Sequence, residues 1–210
     1  MKRDKLYLGA AASAVAALIG GSMLYVAGPN EADAFAQCRA GAVGGGAIGG
    51  PFTLTDENGK TVTEKDVITG PTLVYFGYTF CPDVCPLDSA RNAEAVDILD
   101  GKGKTVTPVL ISFDPERDTP EVLRDFTDAM HPRMLGLTGT PEQIKAASAA
   151  YKTYFKRQED GDPEYYLMDH STFTYLMMPE IGFVDYFDRN ITAADMAARL
   201  ECFIDQAASE

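Results

Sequence analysis

At 210 residues the chain has room for one well-cored domain plus an appendage, and 46% hydrophobic with 23% charged residues argues against disorder. A formal net charge of -13 argues against nucleic acid as a partner, because a phosphate backbone needs a basic face. The acidity would suit a basic protein surface, although charge alone identifies no partner.

The chain opens with Met1-Lys-Arg-Asp-Lys5, and the run from Leu6 to Ala27 carries no charge. A helix over 6–27 therefore crosses a hydrocarbon core, so that 1–27 make up a cytoplasmic N-terminus and a transmembrane anchor. Basic residues before the run and Glu31 and Asp33 after it put the N-terminus in the cytoplasm and the body outside. Ala34-Phe-Ala36 fits a small-x-small processing site, so cleavage is the competing reading. The apolar run is longer than a signal core and ends well short of that site, which favours a retained single-pass anchor. On either reading the body is exported. For a bacterial chain that means an inner-membrane protein facing the periplasm, where disulfides form.

Residues 28–50 are rich in Gly and read as a flexible tether. The folded domain is expected over 51–210. Phe52–Asp56 and Lys60–Thr63 flank Asn58-Gly59, a hairpin turn signal. Leu73 to Phe76 reads as a buried strand, followed by Cys81, Cys85 and then Pro86, which suits the first position of a helix running to Leu99. A second buried strand covers Thr105–Phe113. Thr119-Pro120 starts a helix to about Met130, Met134–Thr138 is a short strand, and Thr140-Pro141 starts a helix to about Tyr151. Lys152–Arg157 extends as a strand. Tyr165–Met178 reads as two strands or a bent one, and Phe183–Phe187 pairs back on it. Thr192 with Asp195 begins a last helix to about Ala207. Alternating strands and helices predict a mainly parallel sheet covered on both faces. With a dithiol after the first long strand, the layout is α/β and thioredoxin-like, in the longer peroxiredoxin-like variant, with an N-terminal β-hairpin.

Cys81 falls in the strand-to-helix turn and Cys85 at or beside the helix N-cap, where free N–H groups and the helix dipole favour thiolate for both. Such a pair forms a disulfide, exchanges one, or binds a soft metal. A metal needs a third ligand. His131 precedes Pro132 at a helix end and suits a capping or surface role. His170 lies before the second hairpin, on a segment that faces the dithiol in a thioredoxin-like fold. Two thiolates and one imidazole suit copper, as Cu(I) or Cu(II). Zinc wants a fourth ligand and iron–sulfur clusters want four cysteines, for which Cys38 and Cys202 have the wrong spacing.

Gly77-Tyr-Thr-Phe-Cys-Pro-Asp-Val-Cys-Pro86, Phe113-Asp-Pro-Glu-Arg-Asp-Thr-Pro120, Leu135-Gly-Leu-Thr-Gly139 and Asp169-His170-Ser171 together resemble the Sco/SenC family of membrane-anchored copper chaperones for cytochrome c oxidase assembly. The resemblance runs from about residue 50 to the C-terminus. It implies Cys81, Cys85 and His170 as copper ligands, with delivery to, or reduction of cysteines in, the dinuclear copper site of oxidase subunit II. A periplasmic thiol reductant and a second copper chaperone are implied as further partners. Many relatives carry His where this chain has Phe80, and that His is not a required ligand.

Other residues have plainer readings. Asp169 alternates away from His170 along a strand and suits a surface hydrogen bond. Met168, Met177 and Met178 read as packing, and Arg117 as a turn-stabilising ion-pair partner. Cys38 and Cys202 either close a long loop or stay apart, Cys202 as a buried thiol. The competing function is a thiol–disulfide oxidoreductase that carries no metal. A peroxidase ranks last, because no Thr-x-x-Cys arrangement is present.

Overall fold

A computed structural model describes residues 35–39, 41, 47–159 and 165–209. The expected anchor over 1–27, most of the tether over 28–50, and 160–164 lie outside them. Among the described residues no helix is long and apolar enough to cross a membrane. The chain divides into two units, 1–37 and 38–210, and the second carries all the regular structure described below.

Among the described residues nine strands and five helices follow in order: β1 (Thr53–Asp56), β2 (Thr61–Thr63), α1 (Glu64–Val67), β3 (Thr72–Gly77), α2 (Val84–Asp100), β4 (Thr107–Ser112), α3 (Pro120–Met130), β5 (Leu135–Thr138), α4 (Pro141–Ala150), β6 (Phe155–Arg157), β7 (Met168–His170), β8 (Thr174–Met178), β9 (Gly182–Phe187) and α5 (Ala193–Ala207). Thr119, Thr140 and Thr192 accept hydrogen bonds from Val122 N, Gln143 N and Asp195 N, so each expected cap forms. The single-turn α1 has no apolar period to announce it and was not expected. It is held by reciprocal bonding between Thr63 and Asp66.

Seven strands form one sheet in the order β2-β1-β5-β4-β3-β8-β9, and β6 pairs with β7 in a separate two-stranded ribbon. The expectation of a mainly parallel sheet is corrected here. Only the β3–β4 and β4–β5 pairs are parallel, and the β1–β2, β1–β5, β3–β8 and β8–β9 pairs are antiparallel. Helical crossovers give the parallel pairs between the central strands, whereas each hairpin is antiparallel within itself and docks one strand antiparallel on the sheet, β1 on β5 and β8 on β3.

The central strand β3 is buried throughout, and its alternation sends Val74 and Phe76 to one core and Tyr75 to the other. The first core gathers Leu54, Val109, Ile111, Leu137 and Tyr175 under Ile144 and Ala147 of α4. The second is smaller and contains both cysteines of the motif, with Tyr75, Tyr78, Leu110, Leu123 and Met134. Cys38 and Cys202 form a disulfide that joins residues 164 apart and ties the segment before the hairpin to α5. Ile48 packs against the larger core, and Gly49 N donates to Ala150 O at 2.9 Å.

Candidate metal centre

At the C-terminal end of β3 the chain must turn away from β4 and enter α2. The last strand residue, Gly77, leaves no room for a side chain, because a Cβ there would meet Tyr75 Cε1 at 2.9 Å and Cys85 Sγ at 3.1 Å. Thr79 is then fixed by Asp118, whose carboxylate accepts from Thr79 N at 3.1 Å, from Thr79 Oγ1 at 2.5 Å and from the Ser112 hydroxyl. This carboxylate has no exposed surface, and burial raises its pKa against those three donors.

α2 begins at Val84, earlier than expected, so Cys85 lies inside the first turn and Pro86 is the third helical residue. Proline is tolerated there because first-turn N–H groups have no intrahelical partner. Asp83 makes no side-chain cap. Instead the sulfur of Cys81 accepts from Cys85 N at 3.4 Å, so the first cysteine caps the helix that carries the second.

The expectation of two low-pKa sulfurs is also corrected. Cys81 is depressed, first by a hydrogen bond from the Cys85 thiol and then by His170 and the backbone N–H groups of Asp83 and Cys85. Cys85, with no exposed surface, is pushed up by that neighbouring thiolate and by burial. Like charges at contact distance oppose one another, so the two sulfurs shift in opposite directions and Cys81 is the more readily ionised.

His170 ends β7, whose pairing with β6 sets Phe155 opposite His170. Its Nε2 lies 3.3 Å from Cys85 Sγ, and its Nδ1 lies 2.8 Å from Ser171 O. A carbonyl oxygen only accepts, so Nδ1 donates to it and Nε2 is the ring nitrogen that faces the sulfurs. Tyr75, Tyr78 and Phe113 surround the imidazole with ring centroids at 6.5, 5.8 and 5.5 Å. Met168 N donates to Tyr78 Oη at 3.2 Å, which docks β7 on the cysteine loop. The structure thus brings Cys81, Cys85 and His170 together, with one ligand atom from each within 4.8 Å of the others.

The other sequence candidates fall outside this cluster. Asp169 is exposed and accepts from Gln158 Nε2 at 2.7 Å. Met177 and Met178 are buried in β8, and Met168 is half-buried between the two cores. Arg117 pairs with Asp114 at 2.5 Å. His131 caps α3 and is buried rather than on the surface, with Asp97 and Asp100 within 3.5 and 3.9 Å of its Nε2. Its Nδ1 accepts from Arg133 N at 3.0 Å, so Nε2 is protonated and has no lone pair to offer.

Sequence reasoning missed the polar support beneath the site. Tyr75 Oη donates to Asp88 Oδ2 at 3.2 Å, and Asp88 Oδ1 pairs with Arg91 at 3.0 Å. An acid at the third position after Cys85 shares its helical face, which is the one signal that could have pointed to it.

Residues 41–205 match the family model for SCO1/SenC. The chain belongs to the SCO1/SenC family. It is 56% identical over 197 residues to Protein SenC of Rhodobacter capsulatus, covering 93% of this chain and 89% of that one. It is 45% identical over 148 residues to the mitochondrial SCO1 homolog 1 of Arabidopsis thaliana, covering 70% of this chain but only 44% of that longer relative. The crystal structure of Arabidopsis thaliana ScoI with copper bound superposes with a TM-score of 0.71 at 40% identity, covering 78% of this chain and all of that one. The fold is thus the α/β thioredoxin-like fold of SCO1/SenC proteins.

Proposed function

We propose that this chain is a copper metallochaperone that takes copper on Cys81, Cys85 and His170 and hands it to the dinuclear copper site of cytochrome c oxidase subunit II. The observation that carries the reading is the meeting of two sulfurs and an imidazole nitrogen within 4.8 Å. The copper-bound state of the Arabidopsis relative supports it.

The donor set fits the cargo. Thiolate selects Cu(I), and a mixed sulfur–nitrogen set also accommodates Cu(II). Copper takes its sulfur ligands as thiolates, and the lowered pKa of Cys81 against the raised pKa of Cys85 makes Cys85 the harder of the two to deprotonate on loading. A Cys81–Cys85 disulfide would remove both sulfur ligands, so a thiol reductant acts before loading. Release to the client is ligand exchange, with an incoming cysteine displacing one donor at a time.

In this reading residues 1–27 anchor the chain, 28–50 tether it, and 51–210 work in the periplasm, with a second copper chaperone supplying the metal. The Cys38–Cys202 disulfide suits an oxidising compartment. A second reading, thiol–disulfide exchange on client cysteines, draws on the opposite shifts of the two sulfurs, Cys81 lowered and Cys85 raised.

Titration of the reduced full-length chain in detergent with Cu(I) against a competing chelator tests the choice. Stoichiometric binding is expected, weakened about tenfold or more in His170→Ala while dithiol exchange persists. Exchange activity without copper affinity would put the reductase first.

A further inference from the structure

The β6–β7 ribbon that carries His170 has three paired positions and is not part of the main sheet. An isolated two-stranded ribbon has marginal stability in water. Something outside the ribbon must hold the imidazole over the sulfurs.

Tyr166 lies just before β7 and is 8% exposed. Its ring is sandwiched between two guanidinium groups, with Arg117 Cζ and Arg157 Cζ each 3.6 Å from its centroid. Arg157 is the last residue of β6, so the ring grips the ribbon on one side. On the other it grips the loop between β4 and α3. There Tyr166 Oη donates to Asp114 Oδ1 at 2.6 Å, and Asp114 Oδ2 accepts from Arg117 Nε at 2.5 Å.

The same loop reaches the cysteines. Asp114 N donates to Ser112 Oγ at 2.9 Å, Ser112 donates to Asp118, and Asp118 holds Thr79. Arg117 also lies 4.7 Å from the ring of Phe80, which precedes Cys81. A hydrogen-bonded chain therefore runs from Tyr166 to the residues that place the first sulfur. Guanidinium–aromatic stacking and a buried phenol-to-carboxylate bond are each directional, so the chain sets angle as well as distance.

We propose that Tyr166 is a positioning residue: by locking the β6–β7 ribbon onto the Asp114–Asp118 loop, it fixes His170 as the third donor beside Cys81 and Cys85. The copper part of this proposal rests on the metallochaperone reading, and the effect on the ribbon does not.

Two variants test it in the full-length chain. Tyr166→Leu removes both ring and hydroxyl, whereas Tyr166→Phe keeps the stacking and loses only the bond to Asp114. In the metal-free reduced protein, amide hydrogen exchange in 155–157 and 168–170 is expected to rise about tenfold or more in Tyr166→Leu and less in Tyr166→Phe. Exchange in β3 and β4 stays as in the parent. With Cu(II) added, the nitrogen hyperfine signature of His170 weakens in Tyr166→Leu and is largely restored in Tyr166→Phe. Copper affinity falls toward that of His170→Ala, and the double variant binds no more weakly than His170→Ala alone, because both changes remove the same contact. Unchanged ribbon exchange in Tyr166→Leu, or an affinity loss that adds in full to that of His170→Ala, overturns the proposal. If the parent binds no copper, the metallochaperone reading fails, and the exchange measurement still decides whether Tyr166 locks the ribbon.

Discussion

Cys85 Sγ and His170 Nε2 stand 3.3 Å apart across a sequence separation of 85 residues. The sulfur arrives on the first turn of α2 and the nitrogen on the last residue of β7. Neither element contacts the other by its backbone hydrogen bonds. Each is placed against β3 and its following loop, and the meeting is a consequence.

The split between the two sulfurs has a pH signature. Cys81 has its pKa depressed in the fold, so its thiolate contributes stability that is fully present above the ordinary thiol pKa of about 8.5 and is lost as pH falls through the folded value. Cys85 is shifted the other way, so its neutral form contributes stability that is present below about 8.5 and is lost as pH rises through its higher folded value. Thiolate ultraviolet absorbance of the reduced protein should therefore report one thiolate persisting at about pH 6, well below the ordinary thiol range. Two thiolates appearing together near the ordinary thiol pKa would contradict the arrangement.

Gly77→Ala tests how closely β3 passes the second sulfur. The added methyl would lie 2.9 Å from Tyr75 Cε1, 3.1 Å from Cys85 Sγ and 3.3 Å from Leu110 Cδ1. Overpacking of this kind costs about 1–3 kcal/mol. Urea unfolding of the reduced variant should show that loss, and Cys85 should be alkylated faster because its sulfur is pushed outward.

Asp118 separates charge from hydrogen-bonding capacity. Asp118→Ala leaves Thr79 N and the Ser112 hydroxyl without an acceptor in a buried site, at about 1–3 kcal/mol for each group left unpaired. Asp118→Asn keeps an acceptor oxygen and avoids burying a charge, so its thermal midpoint should fall much less. Equal losses in the two variants would show that the carboxylate's charge matters more than its acceptance.

The Cys38–Cys202 disulfide should be a stability element independent of the motif cysteines. Closing so long a loop is worth about 2–5 kcal/mol in the chain-entropy account. Cys202→Ser is expected to lower the urea midpoint by a corresponding amount at fixed Cys81–Cys85 redox state. The reactivity of Cys81 toward an alkylating agent should stay as in the parent.

Local chemistry made much of the fold legible. The threonine caps at 119, 140 and 192 announce their helices within a few residues, and β3 and β4 are continuous apolar runs. The sulfur pair was legible for the same reason, since both cysteines sit beside the helix start that shapes them. The start of α2 was misplaced because Cys81 Sγ, rather than a Ser, Thr, Asp or Asn side chain, takes a capping bond. The sheet's mixed pairing escaped because apolar alternation records which face a residue takes and not which way its neighbour runs.

The chain's own order of residues determined where strands, helices and the thiol-bearing turn would form, because those depend on contacts a few positions apart. Only the tertiary structure decided that the two sulfurs shift in opposite directions, since that follows from unequal burial around a shared hydrogen bond. It also decided that Tyr166, Asp114 and Asp118 stand between the histidine arm and the cysteine loop, and that Cys38 meets Cys202. Those partners are distant along the chain, and nothing short of packing the two cores against the sheet brings them within bonding reach.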